Sequence, residues 1–259
     1  MAPIAVDGLG VDDVTIDGDV VDEITMDGDV VYQAITIPDS VVSQYLITDS
    51  DDSSTIFDEE AENNLSNDGL TFQSDVGAES GRYLNCDGDS GAYEIPGSDF
   101  KNMNELTVTF WIRSSSSQEF RTHIIGHGNE EASTSTDQTS WMIAVDEDIN
   151  EIGFFTASQG GGYSDPRATF AIEDVLDDSW NFVAYRFDNG SLKAWLNTST
   201  TTDSAHDSSI DDSGDEFMIA GPSNRDRRQY EGDLDDIKFF NSALTDDEIN
   251  QVRQNHPRA

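Results

Sequence analysis

The chain has 259 residues, with 13 Lys and Arg against 53 Asp and Glu, a formal net charge of −40 and a pI near 4.1. That charge excludes the basic surface that phosphate neutralisation needs, and with it nucleic-acid binding. No apolar run approaches the roughly 20 residues of a membrane-spanning helix, and the lone Cys86 rules out an intrachain disulfide.

The first residues, Met1–Asp7, lack the basic start and apolar core of an export signal. A ten-residue repeat follows. Val11-Asp-Asp-Val-Thr-Ile-Asp-Gly-Asp-Val20 runs directly into Val21-Asp-Glu-Ile-Thr-Met-Asp-Gly-Asp-Val30, and Val6-Asp7-Gly8 ends a degenerate earlier copy. Alternating apolar residues leading into Asp-Gly are a strong hairpin signal, because both central turn positions favour φ > 0. The block therefore predicts a small β-meander. A module of this size cannot stand alone, so it must pair with itself in an oligomer or dock on something larger.

Beyond Pro38 the pattern is that of a large β-domain. Val41–Ile47 predicts a first strand, Asp49–Ser54 a turn and Ile56–Gly69 mostly loop. Strands are predicted at Gly81–Gly88, where Cys86 reads as a small core hydrophobe, and at Leu106–Arg113. Trp141–Val145 and Glu151–Thr156 form a further pair, and Ser179–Arg186 pairs with Ser191–Asn197. Long polar loops are expected at Glu130–Ser140, Ser158–Arg167 and Asn197–Asp215, rims where binding residues tend to sit. Tyr230–Phe240 predicts a last strand. After it, Thr245 is placed as a helix N-cap, with Glu248 completing a capping box and Asp246 and Asp247 favouring the positive end of the helix.

Little in these segments suggests catalysis. His123 and His127 flank a strand end without metal-ligand spacing, and Gly160–Gly162 lacks the Lys-Ser/Thr of a phosphate loop. Trp111, Trp180 and Trp195 fall in apparent strands and are expected in the core. Candidate ligand-contacting residues are Tyr163 and the nearby Arg167 on one loop, and the cluster Arg225, Arg227 and Arg228. Guanidinium groups match carboxylate or sulfate groups of an acidic glycan, although here they could equally bridge to the protein's own carboxylates.

The segments Gly81–Gly88, Leu106–Arg113, Ser179–Asn197 and the strand-plus-helix of Tyr230–Ile249, in that order, resemble laminin-G-like, concanavalin A-type jelly rolls. The resemblance implies an all-β two-sheet sandwich over residues 38–259, preceded by the repeat over 1–37 and closed by a short helix. It also implies a structural Ca²⁺, for which Asp87, Gly88 and Asp235 are the matching positions, all hard oxygen ligands. Laminarinase-type enzymes of the same architecture carry a Glu-x-Asp-x-(x)-Glu strand. The corresponding Asp146-Glu-Asp148-Ile-Asn-Glu151 begins with the shorter Asp and falls across a predicted turn, so no catalytic residue is assigned.

The Asp-Gly repeat is similar to N-terminal segments that anchor tail and spike proteins of tailed viruses. The acidic composition, with Lys only at Lys101, Lys193 and Lys238, resembles that of proteins from extreme halophiles. Together these resemblances imply a non-enzymatic virion-surface protein of a virus of halophilic archaea. It would be made in the host cytoplasm and displayed in a high-salt environment, binding host glycan or S-layer glycoprotein. The repeat would contact other virion proteins, and a homo-oligomer is expected. The alternatives are a cellular adhesion protein of a halophile and a glycan hydrolase using Asp146, Asp148 or Glu151.

Overall fold

The computed structural model describes residues 5–6, 9–10, 23–26, 29–33, 41–48, 51, 54–59, 63–94, 103–114, 118, 122–129, 138–146, 150–156, 167–204, 209–210, 217–221 and 229–259. The chain divides into two compact units, Met1–Pro38 and Asp39–Ala259.

In the first unit β1 (Ala5–Val6) pairs antiparallel with β2 (Leu9–Gly10), on either side of Asp7-Gly8. β3 (Glu23–Met26) pairs with β4 (Asp29–Gln33) on either side of Asp27-Gly28. Each pair is a separate two-stranded sheet. The expected meander is thus present as two hairpins, and the Asp17-Gly18 copy between them lies outside the described residues.

The second unit opens with β5 (Val41–Tyr45), β6 (Thr55–Ile56), β7 (Leu65–Asp68), β8 (Thr71–Ser74), β9 (Arg82–Asp87), β10 (Gly91–Glu94) and β11 (Glu105–Arg113). Next come β12 (His123–Asn129), β13 (Gln138–Asp146), β14 (Glu151–Thr156), β15 (Arg167–Ala171) and the single-turn α1 (Ile172–Val175). The remainder is β16 (Asn181–Asp188), β17 (Ser191–Leu196), β18 (Ser199–Ser204), β19 (Phe217–Ile219), β20 (Glu231–Phe240) and α2 (Asp246–Asn255).

These strands form a two-sheet jelly-roll sandwich. The front sheet has the order β15-β14-β13-β12-β19-β10-β7-β6. The back sheet has the order β18-β17-β16-β11-β20-β9-β8, with β5 also paired to β20. β20 serves two neighbours along one edge: Glu231–Leu234 pairs with β9, and Ile237–Phe240 with β5. The change of partner coincides with a bulge at Asp236, whose φ of 45° breaks the ladder.

Strand alternation sorts the side chains. On β11, Leu106, Val108, Phe110 and Ile112 join the main core, as do Leu84 and Cys86 on β9 and Leu234, Ile237 and Phe239 on β20. Aromatic rings fill its centre: Phe217 meets Phe239 edge-on at 5.2 Å, and Trp141 stacks on Phe154 at 5.7 Å. Such pairs contribute about 0.5–1.5 kcal/mol each beyond the area they bury. On the opposite face of the back sheet, Trp111, Phe182, Trp195 and Phe240 are equally buried but stand outside that cluster. Trp111 packs on Phe182 at 5.6 Å and on His256 at 4.9 Å. Arg186 of β16 and Lys193 of β17 both reach Asp246 at the start of α2. The helix therefore fastens onto the outside of the sheet. Two expected core tryptophans lie in this outer layer, and the third, Trp180, is only half-buried just ahead of β16.

Segments expected as loops contain strands, and β13 and β15 begin inside two others, at Gln138 and Arg167. β6 and β7 occupy parts of 56–69, with Leu65 and Asn67 buried and Ser66 and Asp68 exposed. β18 lies within 197–215 and pairs with β17 from Leu196↔Ser199 to Ser191↔Ser204. An edge strand with nearly every residue exposed needs no apolar alternation, so Ser-Thr-Thr-Thr-Asp-Ser carries none. The turn between β16 and β17 is Asn189-Gly190, both at positive φ (47° and 91°), a two-residue hairpin connection.

Candidate functional site

The register of the back sheet assembles a polar cleft on its outer face. Leu84 and Cys86 point into the core, so Tyr83, Asn85 and Asp87 of β9 point outward. Asp233 of β20 stands directly between Asn85 on one neighbouring strand and Arg113 on the other. Its carboxylate accepts from Asn85 Nδ2 at 2.8 Å, Arg113 Nε at 2.9 Å and Arg113 Nη2 at 2.6 Å. Burial alone would lower the Arg113 pKa, but the bond and charge of Asp233 outweigh it, and the net shift is upward.

Arg113 also donates to Tyr83 Oη at 3.2 Å, and its guanidinium carbon lies 5.2 Å from the Tyr83 ring centre and 4.7 Å from that of Trp180. Arg258 lies 3.8 Å from the same Trp180 ring. Tyr83, Arg113, Trp180 and Arg258 thus form a ladder of alternating rings and cations. The ladder braces one wall of the cleft, and cations already lie against the Trp180 ring.

The cleft encloses about 360 Å³, bordered by Asn85, Cys86 and Asp87 of β9, Arg113 and Ser114, Asp178, and Glu231, Gly232 and Asp233 of β20. Ser114 Oγ donates to the Glu231 carbonyl at 2.7 Å, and the Asp178 amide donates to the Ser114 carbonyl at 2.9 Å. Gln118 clamps the far end, donating to the Glu231 carbonyl and accepting from the Glu231 amide. Gly232, at φ 154°, is required: a Cβ there would sit 2.6 Å from the Arg113 carbonyl oxygen and closer still to the Tyr230 hydroxyl. The result is an open recess with fixed hydrogen-bonding groups, suited to a hydroxylated ligand.

Of the residues expected to hold Ca²⁺, Asp87 borders the recess, whereas Gly88 and Asp235 do not. Asp87 is registered opposite Glu231, four positions from Asp235 along β20, a separation of about 13 Å along a strand. Asp87 instead closes its own turn, accepting from the Asp89 amide and Ser90 Oγ. Asp235 is fully buried, accepts from Arg258 Nε at 3.0 Å and lies 3.5 Å from His256 Nε2. Among the described residues no group of three or more His, Cys, Asp or Glu side chains is arranged to hold a metal ion.

Tyr163, Arg225, Arg227 and Arg228 lie outside the described residues. Arg167 starts β15 and stands 3.7 Å from Asp203 of β18, an ion pair between the edge strands of the two sheets. Asp146 and Glu151 are paired across the β13–β14 hairpin, with Asn150 at φ 58° in the turn. Asp146 therefore ends one strand and Glu151 begins the next. Asp148 lies outside the described residues. Sequence reasoning missed Tyr83, Asn85, Arg113, Asp178 and Asp233 as site residues. The outward positions of three predicted strands could have found all but Asp178, which lies in the bend before β16 and carries no such signal.

A family model described as the concanavalin A-like lectin/glucanases superfamily matches residues 87–250. No curated protein matches the chain in sequence. Domain 4 of an extracellular arabinanase from Geobacillus stearothermophilus, in complex with arabinotriose, is similar with a TM-score of 0.57 at 13% identity, over 82% of this chain and 98% of that one. The binding domain of botulinum neurotoxin DC in complex with rat synaptotagmin II is similar with a TM-score of 0.60 at 14% identity, over 85% and 52%. Trypanosoma rangeli sialidase in complex with sialic acid gives 0.59 at 12% identity, over 85% and 34%. This chain therefore spans nearly all of the arabinanase domain, about half of the toxin chain and a third of the sialidase. At such identities these likenesses establish the fold alone, while the match over most of the sandwich makes the chain a member of the concanavalin A-like lectin/glucanases superfamily.

Proposed function

We propose that the protein is a non-enzymatic attachment protein on the surface of a virus that infects halophilic archaea. Its jelly roll binds host-surface glycan or S-layer glycoprotein in the cleft beside Arg113 and Asp233. The observation that carries this reading is the cleft itself: a solvent-open recess of about 360 Å³ whose walls are cross-braced by Asp233, Arg113 and Asn85. A recess of fixed donors and acceptors loses little freedom on binding, which favours a polyhydroxylated ligand.

Arabinotriose and sialic acid in the complexes of two structural relatives support a saccharide as the ligand class. A net charge of −40 supports a high-salt setting, where the Debye length falls to about 3 Å and self-repulsion is screened. The two N-terminal hairpins support attachment to other virion proteins and a homo-oligomer, since a lone hairpin is marginal in water. Multivalent display then compensates for a shallow site.

The test is made on purified particles and on the isolated full chain. The protein is expected in the particle, and deleting residues 1–37 is expected to abolish both particle attachment and oligomerisation. In multi-molar potassium chloride the full chain binds envelope glycan without releasing soluble sugar, and Arg113→Ala weakens that binding at least about tenfold. Particles that lack the protein, or sugar release that Glu151→Gln abolishes, would overturn the reading.

A further inference from the structure

We infer that the cleft selects neutral or amine-bearing sugars over sulfated or carboxylated ones, with Asp178 as a specificity-determining residue. The inference rests on the glycan-binding reading and names its ligand class. It departs from the acidic glycan that the arginine-rich segment 225–228 suggests.

Several donors in the cleft already serve acceptors within the protein. Arg113 gives Nε and Nη2 to Asp233, Asn85 gives Nδ2 to the same carboxylate, and Ser114 gives its hydroxyl to the Glu231 carbonyl. Around them stand four carboxylates, Asp87, Asp178, Glu231 and Asp233, against the single guanidinium of Arg113. Asp87 and Asp178 are exposed at the opening. Asp178 is held there in the left-handed region (φ 67°) by its amide bond to the Ser114 carbonyl at 2.9 Å.

A carboxylate only accepts hydrogen bonds, so it matches the hydroxyl donors of a neutral sugar and the ammonium of an amino sugar. A sulfate or uronate also only accepts, and in this recess would meet four carboxylates, with only Arg113 Nη1 and the second N–H of Asn85 Nδ2 left to donate. Salt screens the long-range part of that repulsion but supplies no donor at contact. The recess is therefore complementary to a donor-rich ligand because of its hydrogen-bond inventory, and the protein's net charge adds only a general bias.

An array of neutral, amino, uronic and sulfated oligosaccharides, probed with the full chain in multi-molar potassium chloride with chelator present, tests this. Signal is expected on neutral and amino members, at least about tenfold above acidic members of equal length. Asp178→Asn keeps a side chain that tolerates the left-handed backbone while removing the charge. This variant is expected to lose several-fold on amino members and to narrow the gap to acidic ones. Equal or stronger binding of acidic members, or an Asp178→Asn profile identical to the parent, would overturn the selectivity and leave the glycan reading standing. No signal on any member would overturn both.

Discussion

Arg258 donates from Nε to the buried carboxylate of Asp235 at 3.0 Å, although 23 residues separate the two. The same guanidinium reaches Asp75 through Nη1 at 2.8 Å and lies over the Trp180 ring. One side chain beyond α2 thus ties the end of the chain to the central strand of the back sheet, to the turn before β9 and to the aromatic ladder of the cleft. Arg258→Met removes the guanidinium from a carboxylate with no solvent access and leaves it only His256 Nε2 at 3.5 Å, a change that typically costs about 3–5 kcal/mol. The double substitution with Asp235→Leu removes the orphaned charge and is expected to recover most of that loss. Chemical denaturation of both variants checks it; equal losses in single and double variants would refute the pairing argument.

The helix start is tested separately. Thr245 N donates to Glu248 Oε2 at 2.6 Å and Glu248 N to Thr245 Oγ1 at 3.3 Å, the reciprocal bonds of a capping box. Thr245→Ala should lower stability by about 1 kcal/mol. Thr245→Ser should be nearly neutral, which separates loss of the cap from loss of the methyl group.

Acid sensitivity follows from two depressed carboxylates. Asp75 is held down by the Gly77 amide and then by Arg258, and Asp246 by its bond to Lys193. A pKa lower in the folded than in the unfolded chain contributes stability above the ordinary aspartate value of about 3.9, and that contribution is lost as pH falls through the folded value. Asp246 is exposed and Asp75 half-buried at the surface, so each contributes a fraction of a kcal/mol, about the size of a surface pair. The melting temperature should therefore decline below about pH 4, and Asp75→Asn should flatten that decline. An unchanged slope in the variant would assign it to other carboxylates.

Gly232→Ala probes the geometry of the cleft. Its Cβ would lie 2.6 Å from the Arg113 carbonyl oxygen in a backbone conformation that side chains rarely adopt. The change should destabilise the fold by more than about 1 kcal/mol and weaken saccharide binding as β20 shifts away from β11. Binding measured on the folded fraction distinguishes the two effects.

The existence and rough bounds of several elements were legible in the pattern itself. Alternation in Leu106–Arg113, the paired runs around Asn189-Gly190, and the capping box after Phe240 are local signals, each set by residues within a few positions of one another. The single cysteine likewise ruled out an intrachain disulfide. What only the tertiary structure decided were relationships across sheet register. Asp233 became the hub of a cleft because β9 and β11 place Asn85 and Arg113 on either side of it, and Asp235 became a buried partner of Arg258 because α2 folds back over the sheet. Trp111 and Trp180 look alike in the chain, yet the first is sealed under His256 and the second braces two arginines at a half-buried edge. β18 escaped notice because an exposed edge strand buries too little to impose a pattern. Periodicity records which face a residue takes, whereas its partner across the sheet depends on where distant strands come into register.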